Sequence, residues 1–383
     1  MNVVITGPFG YDSLADELVL AGLLRHLRRA KHDVTVFSAD PELTAAIHGT
    51  ELHTILMPDP TQILSNAHAW DALGRANLAI LAGGGVINAT GKPAARVWLS
   101  QLEHAQRVGV KTAVIGAGAV KVEEPRERAR LQRLLHNCID SVAVRDEASK
   151  SALMSYGLNA NRISNNGDPI LSLANEPFVD AVEKHQVGLL VPCKLPSREG
   201  FGPENTELSD KFAASVAGLV KGILAISNEI KIHLFYEHEE FEDKIQLSDD
   251  ELKRIELSQT DIPIAELQSQ VAKCGCVLSL GHHGVLLGAA AGAPVAGFEV
   301  ETSTSRLLQS LGLDQYVATD FEAAINVVRE MLDNQIELRA QVRTRVRALA
   351  RKEAQNARLI ELLVPRRQRP RVQKDSEAVE SFE

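Results

Sequence analysis

LSLGHHGVLLGAAAGAPVAGF, residues 278–298, is apolar almost throughout, yet two adjacent histidines, His282 and His283, stand near its start. The stretch reads as a buried strand, a glycine-flanked turn, an Ala/Gly-rich helix and a second short strand, PVAGF. Strands without alternating polarity are covered on both faces, which is the signature of a parallel sheet sandwiched by helices. Neighbouring side chains on such a turn project differently, so at least one imidazole should reach the open end of the sheet. That is where α/β proteins bind ligands.

Working outward, the same pattern repeats. NVVIT (2–6), DVTVFS (33–38), LAILAGGG (78–85), KTAVIGAG (111–118) and SVAVRD (141–146) are short apolar runs separated by helical segments. Ser13 and Asp16 open the first of those helices three residues apart, a capping-box spacing with Asp in place of Glu. A polar, Pro-containing segment at 174–186 separates this series from a second one. The second comprises VGLLVP (187–192), a helix near 209–228, KIHLFY (231–236), a helix near 263–272, CVLSL (276–280) and PVAGF (294–298). The expected fold is α/β, with two Rossmann-like, doubly wound parallel-sheet domains. The first spans 1–175 and the second 186–320. C-terminal helices follow over 321–364, as patterns at 320–332 and about 334–364, and a charge-mixed tail over 365–383 is expected to be disordered. The long last helix permits either a return onto the first domain or a homodimer contact.

Composition narrows the function classes. The 383 residues are 45% hydrophobic, 24% charged and carry a net charge of -9. Without a large basic block before the extreme C-terminus, and with few aromatics, no nucleic-acid surface is indicated. The start lacks the pattern of a secretory signal, and no run approaches about 18 apolar residues, so no membrane span is expected. A cytoplasmic protein with reduced thiols at Cys138, Cys193, Cys274 and Cys276 is expected; peripheral membrane association stays open. No metal site is expected, because Cys274-Gly-Cys276 lacks paired ligand spacing.

Candidate site residues sit at the strand ends. The cluster from Gly7 through Gly10 to Ser13 joins strand to helix, where free N–H groups and the helix dipole favour an anion; a plain turn with an N-cap is the equal alternative. It is neither GxGxxG nor a P-loop. Asp16 and Glu17 lie in the following first turn. Gly83, Gly84 and Gly85 allow close approach to the backbone and favour a binding loop over a mere turn, with Asn88, Lys92 and Arg96 near its mouth, although Arg96 could equally snorkel on a helix surface. Asp146 reads as an N-cap, whereas Arg145, at the end of a buried strand, points into the crevice. Asn166-Gly167-Asp168-Pro169 follows about twenty residues later.

In this order and at these separations, GPFGYDSLADE, LAGGGVIN, VRDEASKSALMSYGL with NNGDP, and LGHHGVLLGAAAGAPV resemble the polysaccharide pyruvyl transferase family. The resemblance covers roughly residues 5 to 318 and implies a GT-B-like arrangement, two domains facing a cleft. It implies transfer of the enolpyruvyl carbons of phosphoenolpyruvate, a co-substrate and not a resident cofactor, to a sugar hydroxyl of a cell-surface polysaccharide or its precursor. It places His283 on the family histidine, as general acid or phosphate contact, with His282 and Gly284 beside it on the donor side. Asp16 or Glu17 would orient the acceptor, helped by Gly10, Ser13, Gly83, Gly84, Gly85 and Asn88. The chain departs from the family at Gly281 and Ser303, where the family carries an arginine and a lysine. His282 is the candidate partial replacement for the arginine, Lys194 and Arg198 are the candidate compensating cations, and Arg145 stands with them on the donor side. Two other readings follow from that departure: a transferase using a nucleotide sugar, and a non-catalytic family member.

Overall fold

The computed structural model describes residues 1–11, 13–57, 65–85, 87, 94–122, 124–175, 178, 182–192, 210–237, 240–299 and 302–364, with backbone only at 94–97, 127 and 175. Two sheets organise the chain. The first contains β1 (Asn2–Thr6), β2 (Asp33–Ser38), β3 (His53–Leu56), β4 (Leu78–Ala82), β5 (Lys111–Ala117), β6 (Ser141–Val144) and β7 (Ile163–Asn165) in the order β3-β2-β1-β4-β5-β6-β7. The second contains β8 (Glu183–Val191), β9 (Lys231–Tyr236), β10 (Ile255–Gln259), β11 (Cys274–Ser279), β12 (Val295–Phe298) and β13 (Val317–Ala318) in the order β10-β9-β8-β11-β12-β13. Every pairing is parallel.

The apolar runs read from sequence coincide with the inner strands, because these must be covered on both sides: β4 and β11 are buried at every residue. Four strands escaped that reading. β3, HTIL, is half-polar and forms the sheet edge; β7 and β13 are two or three residues long; β10, IELSQ, is an edge with no fully buried residue. Edge strands need only one covered face and so lose the apolar signal. In each sheet the winding direction reverses between two neighbours, β1 and β4 in the first and β8 and β11 in the second. Crevices outside the carboxyl ends of such strand pairs are where open α/β sheets bind ligands.

After the helix Phe321–Asp333 the chain returns to the first sheet's side through Gln335–Glu353 and Gln355–Leu363, two helices broken at Ala354. Arg339 fastens the first of them to the second unit by donating to the backbone carbonyls of Ala272, Cys274, Gly275 and Gly292. On either side of the break, Glu353 and Asn356, both 0% exposed, meet groups of the first unit. His26 Nε2 lies 2.8 and 2.9 Å from the two oxygens of Glu353, and Asn166 donates to Asn356 Oδ1 at 3.0 Å. The last helices therefore strap the two units together. Among the described residues no helix is long and apolar enough to cross a membrane.

Candidate active site

A cavity of about 540 Å³ opens between the two units, lined by the turn after β1 (Pro8, Tyr11, Ser13 to Asp16), by Trp98, and by the ends of β8, β9, β10 and β11 with Thr304. These are the carboxyl ends that the topology singles out.

On the second unit, the turn after β11 is braced by its own backbone. Ser279 Oγ donates to Gly281 O at 2.7 Å and accepts from Gly281 N at 3.1 Å. A Cβ on Gly284 would stand 2.2 Å from Ser279 Oγ, so only glycine lets the turn close. The helix His282–Ala290 thus begins with no side-chain cap, its first N–H groups at the cavity. Both imidazoles lie deep in the cleft with partial solvent access, ring centroids 5.3 Å apart and edge to face. Among the described residues His283 Nε2 and His282 Nδ1 have no hydrogen-bond partner although no solvent reaches them. Burial first, then the positive charge of Arg145, pushes His283 down to about 3; the same two causes, with His283 and Arg306, hold His282 well below the ordinary histidine value. Both shifts favour the neutral rings.

On the first unit, Arg145 follows β6 directly, as its position at the strand end requires. It is mostly buried, its Nε 3.6 Å from Asp146 Oδ2 but without a hydrogen bond. It meets His283 over Gly84: a Cβ there would lie 3.0 Å from His283 Nε2 and 3.3 Å from an Arg145 terminal nitrogen. Gly84 is the gap between a cation of one unit and an imidazole of the other. Its N–H is given to Asp16, and its carbonyl accepts from Gly118 N at 2.8 Å. Asp16 also accepts from Ser13 Oγ at 3.0 Å; burial, followed by the charge of Glu17, outweighs these bonds and raises its carboxyl to about 7. The cavity therefore holds a carboxyl group poised to gain or lose a proton near neutral pH.

Not every candidate faces the cavity. Glu17 is turned into the protein, accepting from Gly10 N at 2.8 Å and paired with His48 Nε2 at 2.7 Å, so both oxygens are used to hold a turn. Gly10 serves that turn: φ is +72°, and a Cβ would lie 2.4 Å from Asp40 N. The Ser13–Asp16 pair is not a capping box, because Ser13 donates to Asp16 instead of capping the helix. Asp146 caps as expected, accepting from Ser149 N at 2.7 Å. Gly83 adopts φ +137°, and Gly85 is exposed with open space around it. Asn88, Lys92, Cys193, Lys194 and Arg198 lie outside the described residues, as does the 365–383 tail, and the Arg96 side chain is not described. Cys138, Cys274 and Cys276 are free and buried. Two further residues bear on the cleft groups. Glu237, after β9, acts electrostatically on Asp16 from the opposite unit. Arg306 bears on His282 from one turn beyond Ser303, on the same helical face; that i+3 spacing was the available signal.

Residues 16–302 match the family model described as polysaccharide pyruvyl transferase. No curated protein sequence matches the chain. Among solved structures, UDP-GlcNAc 2-epimerase from Neisseria meningitidis bound to UDP-GlcNAc superposes with a TM-score of 0.60 at 12% identity, over 94% of this chain and 100% of that one. The S. aureus MnaA-UDP co-structure gives 0.58 at 13%, over 89% and 91% of the two chains. Anabaena Alr3699/HepE in complex with UDP gives 0.56 at 12%, over 94% and 100%. At such identities the likeness establishes the fold: two Rossmann-like units in a GT-B-like arrangement.

Proposed function

We propose, from the premise that this chain belongs to the polysaccharide pyruvyl transferase family of transferases, that it moves the pyruvyl carbons of phosphoenolpyruvate onto a sugar hydroxyl of a cell-surface polysaccharide or its precursor. The observation that carries this reading is the meeting of Arg145 and His283 over Gly84, two cation-capable groups from opposite units with unsatisfied nitrogens. Phosphoenolpyruvate brings up to three negative charges, and binding it there would satisfy the His283 nitrogen, engage the terminal nitrogens of Arg145 and use the open N–H groups of the His282–Ala290 helix. The donor's charge offsets that of Arg145, so His283 gains its proton together with the donor. It can then protonate the methylene carbon.

Asp16 supplies the other half. With its carboxyl near neutrality it accepts the proton of the acceptor hydroxyl, held in place by Ser13 and the Gly84 N–H. In a ketal product two hydroxyl oxygens of one sugar bond to C2 of the donor and the C2–O bond to phosphate breaks. One hydroxyl proton then ends on the methylene carbon and the other leaves with inorganic phosphate. In an enol ether one hydroxyl adds and the methylene is regenerated as phosphate leaves. Lys194 and Arg198 remain proposed as further donor contacts. Glu17 and Gly10 are assigned to holding the β1 turn that presents Ser13 and Asp16.

A nucleotide-sugar donor is the second reading, favoured by the missing cations at Gly281 and Ser303. Ligand protection from thermal unfolding separates the two. A rise in Tm with phosphoenolpyruvate, none with UDP-GlcNAc and loss of the rise in Arg145→Gln support the first; the reverse pattern replaces it with the second.

A further inference from the structure

The Asn166-Gly167-Asp168-Pro169 loop after β7 is a motif that the proposed chemistry leaves unused, yet it is among the most tightly held parts of the molecule. Asn166 N and Gly167 N both donate to the carbonyl of Val144, the residue before Arg145, at 3.2 and 3.3 Å. Pro169 is wedged between two glycines: a Cβ on Gly116 (φ +77°) would lie 2.6 Å from its ring, and one on Gly22 would lie 2.1 Å from its carbonyl oxygen. Behind the loop, Asn166 donates to Asn356, Asn356 donates to Gly167 O and to Glu353, and Glu353 pairs with His26. A buried polar string thus runs from the strap helices to the residue beside the cleft arginine.

Asp168 lies at the end of that string, 3% exposed. One carboxylate oxygen accepts from Ile170 N at 3.0 Å. The other, Oδ2, is buried without a partner, and so is Nε of Arg145. A buried carboxylate oxygen and a buried guanidinium N–H, each orphaned and of opposite charge at adjoining strand ends, are costly apart and favourable together. Burial raises the Asp168 carboxyl to about 6, and the largest opposing influence is Arg145, so the two already sense each other.

We infer that Asp168 is the positioning residue for Arg145, aiming its terminal nitrogens at the bound anion while the polar string fixes Asp168 to the interdomain strap. The inference rests on the proposed donor reading only for the identity of the anion. Simple electrostatics makes the opposite forecast, since removing a negative charge beside an anion site should tighten binding.

The test uses full-length protein with labelled arginine, in which the Arg145 Nε–Hε resonance is assigned by its absence from Arg145→Lys. In Asp168→Asn, which preserves the Ile170 bond, that proton should exchange with solvent at least tenfold faster than in wild type. Phosphoenolpyruvate affinity should fall at least tenfold, and Asp168→Glu should restore part of both. In wild type, without any substitution, the Nε shift should titrate near pH 6. Asp168, Asp146, Glu353, His282 and His283 all bear on this region, so the same titration in Asp146→Asn should keep its midpoint. An unchanged Arg145 resonance in Asp168→Asn, equal or tighter phosphoenolpyruvate binding, or a midpoint that moves with Asp146 overturns the inference. If the resonance responds while wild type fails to bind phosphoenolpyruvate, the donor reading falls and the positioning role stands.

Discussion

The helix Leu14–Arg29 joins two regions that treat titratable groups in opposite ways. At its far end, His26 is locked against Glu353, and His48 is locked against Glu17 at the near end's inner face; each pair is almost fully buried and every carboxylate oxygen has a partner. At the cleft, His282 and His283 keep orphaned nitrogens beside a cation, and Asp16 keeps a raised proton affinity. The first region uses acid–imidazole pairing to fix geometry. The second leaves its groups short of partners, which is the condition under which a bound ligand can satisfy them.

Breaking the settled region should produce the largest change. Glu353→Ala leaves His26 and Asn356 buried without their acceptor and should cost about 3–5 kcal/mol of stability, read from urea unfolding. A change below about 1 kcal/mol would mean that the strap does not depend on this pair. Gly84→Ala attacks the unsettled region by filling the gap between His283 and Arg145. We expect roughly tenfold weaker donor binding with a Tm within a few degrees of wild type, because the obstructed space belongs to the ligand; a loss of fold with intact affinity in the surviving protein would reverse that assignment.

The smallest effects are the most diagnostic in sign. The Asp16 carboxyl is raised from 3.8 to about 7, so the folded state binds the extra proton between those values. Its stabilising contribution is present at low pH and is lost as pH rises through about 7. His283 is lowered from 6.5 to about 3, so its contribution is present above 6.5 and is lost as pH falls toward 3. Asp16→Asn should therefore gain stability at pH 8 but little at pH 4, and His283→Ala should gain at pH 5 but little at pH 8. Parallel pH profiles for the two variants would show that the cleft groups are not strained as described.

Much of this was legible in the sequence where one physical constraint acts alone. Inner strands declare themselves because both faces are buried, and Arg145 stands out as a charged residue ending such a strand, where it meets His283 over Gly84. Edge strands β3 and β10 did not, since half their surface is free to be polar. Glu17 shows the limit on the site: adjacent acids in a first helical turn look alike in sequence, but a 100° helical step sends Asp16 to the cavity and Glu17 to His48. That partner lies 31 residues away, and Glu353, the partner of His26, lies 327 away; no local pattern carries such pairings.

The most direct test of the central claim is calorimetric titration of phosphoenolpyruvate into wild type and His283→Ala, with UDP-GlcNAc titrated in parallel. The account predicts binding of phosphoenolpyruvate by wild type, at least tenfold weaker binding by His283→Ala, and no comparable heat from UDP-GlcNAc. Equal affinity in the two proteins, or binding of UDP-GlcNAc alone, would contradict it.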